Sequence, residues 1–133
     1  MKTRTFKLNK LVRDKIVEST EAQGGVVNYK KLSGQKLTDA LVKKFIEEAE
    51  ELKVSELSVD ELADLKEIIE QIAKDLKIRD KELTAAQAEK RVKNGGFTKG
   101  HFIKTINLPA DNKWTKYYAA EPKRFPEIKK LSR

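Results

Sequence analysis

The sequence predicts an all-α fold, and three observations predict it. Apolar residues recur at helical spacing through two long segments, capping and helix-stopping residues stand where those segments begin and end, and strand-like alternation is confined to one short stretch. A chain of 133 residues is expected to form one core, and it is long enough to bury roughly two-thirds of its unfolded surface without a disulfide or a structural metal. It has no cysteine, which excludes disulfides, thiolate nucleophiles, zinc ribbons and iron–sulfur clusters and suits a reducing cytoplasm, the expected location. The longest uncharged run, Ala22 to Tyr29, is far short of the roughly 20 residues that span a bilayer, and no apolar leader follows Met1, so neither a membrane span nor secretion is expected.

Taken in order, Asn9 is placed to cap a first helix from about Lys10 to Thr20, striped by Leu11, Val12 and Ile16 and stopped by Gly24-Gly25. Val26 to Leu32 is read as strand or extended loop. A second helix is expected from about Leu37 to Lys53, because Leu41, Val42, Phe45, Ile46, Ala49 and Leu52 fall on one face. Ser58, with Glu61 three residues on, is a capping-box signature opening a third helix to about Ile78. A fourth spans about Asp80 to Lys93 and stops at Asn94-Gly95-Gly96. The tail, with Trp114, Tyr117, Tyr118 and Phe125, reads as extended segments packing aromatics onto the helices. Its mixture of aromatic and basic residues is also that of a single-strand nucleic-acid platform.

The net charge is +8, unevenly spread. Residues 1–16 hold six basic and one acidic side chain, residues 17–89 hold 11 and 17, and residues 90–133 hold 12 and three. An acidic middle between basic ends suits carboxylates that hold a metal beside phosphates held by lysine and arginine, and equally suits solvated helix faces with basic tails.

Helical turning of about 100° per residue locates the carboxylates. On the second helix Glu48 falls about 20° outside the apolar arc and Glu51 one step further on the same side, while Glu47 and Glu50 point away. On the third helix Glu61 lies inside the apolar arc and Asp64 flanks it, whereas Glu67 and Glu70 fall among solvated residues. An ionised carboxylate on a buried face costs several kcal/mol unless paired or bound to a cation, so two helices each with an i, i+3 pair at the core edge call for an explanation. Three remain open. The pairs converge into an all-oxygen cage for Mg²⁺ or Mn²⁺, hard cations suited to carboxylate; or Glu61 serves the capping box while Glu48 and Glu51 pair with Lys44 or Lys53; or the carboxylates reach water along the edge of the stripe.

Glu47-Glu48-Ala49-Glu50-Glu51 followed by Glu61-Leu62-Ala63-Asp64 resembles the paired EExxE and ExxD motifs of the all-α nucleoside triphosphate pyrophosphohydrolases, the MazG-like proteins and phosphoribosyl-ATP pyrophosphohydrolases. Lys10-Leu11-Val12-Arg13-Asp14-Lys15-Ile16 and Lys93-Asn94-Gly95-Gly96-Phe97 extend the likeness, in the same order, over about residues 7 to 106. The resemblance implies a four-helix bundle-type MazG-like domain over 1–106 with minor extended segments, its core completed by a homodimer or homotetramer; residues 107–133 lie outside the resemblance and are expected as a basic, aromatic extension packed on the same domain. It implies Mg²⁺, or Mn²⁺, held by Glu48, Glu51, Glu61 and Asp64, and hydrolysis of a nucleoside triphosphate or phosphoribosyl-ATP to the monophosphate and pyrophosphate.

A carboxylate not fully used as a ligand, Glu48 or Glu51, would accept the proton of the attacking water. Arg13, Lys15, Arg91 and Lys93 are candidates to hold phosphates. Two features depart from the family pattern. Only nine residues separate Glu51 from Glu61, which implies a tight loop over about Val54 to Asp60, and Asn94 stands where relatives carry arginine. Other chemistries find little footing: Gly95 to Gly100 lacks the spacing of a P-loop, and the single His101 has no cysteine or serine elbow to work with. Nucleic acid is not the expected partner. The rival of a different class is a non-enzymatic basic helical protein that binds nucleic acid or a partner chain through its two basic ends.

Overall fold

A computed structural model describes residues 2–52 and 58–129, and among these residues the protein is all-α, with five helices and no strand. They are α1 (Ile16–Ala22), α2 (Gly34–Glu51), α3 (Val59–Asp75), α4 (Asp80–Asn94) and α5 (Lys113–Ala119). The chain divides into two compact units, Met1–Asn94 and Gly95–Arg133. Gly95, at φ 80°, takes the left-handed conformation that ends α4 at this division.

In the first unit, α2 packs along α3 and the end of α3 meets α4; no other helix pair is in contact among the described residues. Seven residues join α2 to α3, a short connection of the kind that links antiparallel neighbours. Among the described residues, Leu41 on α2 and Ile68 and Ala73 on α3 are the buried apolar residues. Val42 and Ile46 on α2 and Leu62 and Ile69 on α3 remain exposed.

Caps account for the best-placed boundaries. Ser58 accepts a hydrogen bond on Oγ from the backbone N–H of Glu61 at 3.3 Å and so opens α3 as the capping signature requires. At the other end of α3, Lys77 N–H bonds Lys74 O at 3.0 Å and Ile78 N–H bonds Ala73 O at 2.8 Å, with Lys77 at φ 61°. That is a Schellman closure with lysine in the left-handed position. The same closure ends α1, where Gly24 (φ 91°) takes that position and Gly25 donates to Thr20 O at 3.0 Å. A Cβ on Gly25 would lie 2.7 Å from Thr20 Cγ2, so the close turn requires glycine there as well.

Several boundaries differ from the expectation. The first helix begins at Ile16, not Lys10, because Asn9 adopts φ 48°, a left-handed conformation in which it cannot act as the extended N-cap residue. Val26 to Leu32 carries no strand. The second helix starts three residues earlier than expected, at Gly34, and the third ends at Asp75. Most of the expected loop over Val54 to Asp60 lies outside the described residues, and its last two positions, Val59 and Asp60, already belong to α3.

The second unit corrects the reading of the tail as extended throughout. Asn112 accepts from Trp114 N–H at 2.8 Å and Thr115 Oγ1 donates to Pro109 O at 2.7 Å, and these bonds nucleate α5. Tyr118 and Phe125 meet edge to face at 4.9 Å between ring centroids and are half-buried, with Trp114 and Tyr117 outside them.

Candidate functional site

The four carboxylates of interest divide between the two helices that pack together. Glu48 and Glu51 lie in the last turn of α2, and Glu61 and Asp64 lie in the first two turns of α3. Burial follows the helical-wheel order on α3, where Glu61 and Asp64 are intermediate and Glu67 and Glu70 exposed, and only in part on α2, where Glu48 is largely covered, with 13% of its side chain exposed, while Glu51 is exposed. Glu47, expected to point away, is also partly covered.

Two of these carboxylates are matched by cations of the chain itself. Lys44 Nζ lies 3.3 Å from Glu48 Oε1, one helical turn away, with both side chains largely covered. Arg13, in the segment before α1, donates from Nη2 to Asp64 Oδ1 at 2.6 Å. The Arg13 pKa is raised above its ordinary value, first by this hydrogen bond and then by the charges of Asp64, Glu67 and Glu48, against a smaller opposing effect of burial than of the bond. The guanidinium thus sits in the combined field of α2 and α3. Both partners of this pair are substantially exposed, 59% and 40%, so the contact contributes at most about 1 kcal/mol and weakens with salt.

No family model, curated protein or solved structure matches the chain.

The donor chemistry of Glu48, Glu51, Glu61 and Asp64 fits a hard divalent cation, since all four offer carboxylate oxygens. Among the described residues, however, no group of three or more acidic or histidine side chains comes together closely enough to hold a metal ion. Glu51 and Glu61 each have an interaction of their own. Among the described residues, Arg13 is the candidate phosphate-binding cation seen paired with one of the four carboxylates, Asp64. Lys15 is exposed at the N-cap of α1, and Arg91 and Lys93 are exposed in the last turn of α4, where cations also oppose the negative end of the helix dipole.

Glu67 was not singled out from the sequence, although it faces the same guanidinium; its i, i+3 spacing from Asp64 was the available signal. An open depression of about 670 Å³ lies at the α3–α4 junction, flanked by Glu67, Glu70, Lys74 and Arg79, and none of the candidate site residues lines it. No helix among the described residues is long and apolar enough to cross a membrane.

Proposed function

We propose that this chain is a Mg²⁺-dependent nucleotide pyrophosphohydrolase of the MazG-like all-α type, acting in the cytoplasm on a nucleoside triphosphate or phosphoribosyl-ATP. The observation that carries the reading is the adjacency of the two motif-bearing helices, α2 with Glu48 and Glu51 and α3 with Glu61 and Asp64, under a common cation, Arg13. Glu48, Glu51, Glu61 and Asp64 would hold the divalent cation, which when bound would supply charge neutralisation for the phosphates and a more acidic water.

The chain's own residues have separable parts in this scheme. Glu48 or Glu51 accepts the proton of the attacking water, and Glu61 and Asp64 supply further oxygen ligands. Arg13 exchanges Asp64 for a substrate phosphate, a trade between two oxyanions that its forked donors serve equally well. Lys15, Arg91 and Lys93 add positive charge for the remaining phosphates. Association of two or four chains supplies what one chain lacks: the exposed Val42, Ile46, Leu62 and Ile69 are covered by a neighbour's helices, which complete a four-helix arrangement and draw the carboxylates together.

The test is pyrophosphate release from a panel of ribo- and deoxyribonucleoside triphosphates and phosphoribosyl-ATP, with Mg²⁺ and with chelator, for wild type and Glu61→Gln. Release that needs both the metal and Glu61 is expected. A folded wild-type protein that releases no pyrophosphate from any of these substrates overturns the proposal.

A further inference from the structure

We propose that the second unit is a binding surface for single-stranded nucleic acid, in which bases stack on Trp114 and Tyr117 while Lys113, Lys116 and Lys123 neutralise the backbone. The argument begins with what the aromatic cluster leaves uncovered. Tyr118 and Phe125 close on each other, but Trp114 and Tyr117 keep 50% and 43% of their surfaces exposed.

The two partly exposed rings meet edge to face, at 90° with centroids 5.7 Å apart, and Tyr117 also touches Tyr118 and Phe125, so the portions of the two ring faces left to solvent differ in orientation. Unstacked bases of a flexible single strand can meet such faces one at a time, whereas a duplex keeps its base faces occupied.

Charge points to the same ligand. Residues 95–129 hold seven basic and three acidic side chains. Lys113 Nζ lies 5.6 Å from the Trp114 ring centroid and Arg124 lies 4.9 Å from that of Phe125, so cations and rings share one surface. Arg124 is also held by Glu121 at 3.9 Å, but Lys113, Lys116 and Lys123 make no ion pair among the described residues. Lysines without a carboxylate among the described residues, beside partly exposed aromatic rings, complement a polyanion that carries flat apolar rings. This surface uses none of the carboxylates of α2 and α3, and its standing is independent of the pyrophosphohydrolase reading.

The chain has a single tryptophan, so its emission reports on this surface alone. The full chain is titrated with a short oligo(dT), without Mg²⁺, following Trp114 fluorescence and, in parallel, the polarisation of a labelled oligo(dT). Quenching on binding is expected, with log K falling against log salt at a slope of about −2, from about −0.7 per phosphate neutralised by each of three lysines. Lys113→Gln, which leaves every ring in place, reduces that slope by about 0.7. Trp114→Ala weakens binding about tenfold, and Trp114→Phe, which keeps a ring in the cluster, retains most of it.

Glu61→Gln binds like wild type, which separates this result from the fate of the enzymatic proposal. Unchanged Trp114 emission at saturating oligo(dT), duplex DNA or heparin bound as tightly as the single strand, or Trp114→Ala and Lys113→Gln both indistinguishable from wild type overturns it.

Discussion

Arg13 and Asp64 are joined at 2.6 Å across 51 residues of sequence, and this contact ties the segment before α1 to the first half of α3. Its strength is testable by a double-mutant cycle with Arg13→Ala and Asp64→Ala in urea unfolding. A coupling energy of at most about 1 kcal/mol is expected, vanishing at high salt. The raised pKa of Arg13 belongs to a cation, so its contribution is present below the unfolded-state value and is lost only as pH rises through the higher folded-state value. Acidification therefore does not remove the arginine's share of the pair.

Glu61→Gln keeps the backbone N–H through which Ser58 caps α3 and nearly the shape of the side chain, so it removes the charge with little change to the start of the helix. The variant is expected to melt within a few degrees of wild type by circular dichroism while losing pyrophosphate release. Ser58→Ala should do the reverse: about 1 kcal/mol less stable in urea unfolding, with catalysis retained where the protein is folded.

Lys77 occupies the left-handed position that closes α3, at φ 61°, where glycine closes α1. Lys77→Gly removes the Cβ crowding of that conformation and should raise stability by about 1 kcal/mol, read as an increase in the urea midpoint without a change in slope.

Leu41 is 5% exposed and Leu62 is 55% exposed. Leu41→Ala should cost about 2–5 kcal/mol at every protein concentration, as expected of a filled core position. If neighbouring chains cover α3, Leu62→Ala instead lowers the association constant, and sedimentation velocity shows a shift towards monomer. A loss for Leu62→Ala that does not depend on concentration would count against coverage by a second copy.

Much of the helical framework was legible because its signals were local. The apolar spacing from Leu41 to Leu52 and the Ser58 cap depend on neighbours a few residues away, and α2 to α4 lie close to where those signals put them. Asn9 misled because the residue type that caps a helix also tolerates the left-handed conformation it adopts here. α5 escaped because seven residues offer too few turns for a stripe to show, although Asn112 was present as a cap. In the carboxylate region, helical turning placed Glu48 as more covered than Glu51, since that depends on one helix at a time, but it did not foresee the partial cover of Glu47. The Arg13 contact could not be read, because it joins a segment without periodicity to a helix far along the chain.

With Leu41, Ile68 and Ala73 as the enclosed apolar residues among those described, the separated chain brings few oily groups out of water when it unfolds. The heat capacity released by that transition, which tracks newly wetted apolar area, should then fall below the roughly 12–15 cal/mol/K per residue of ordinary domains. A shallow, broad calorimetric endotherm is the corresponding trace, and its sharpening as the solution is concentrated would show that the missing calories are stored between chains.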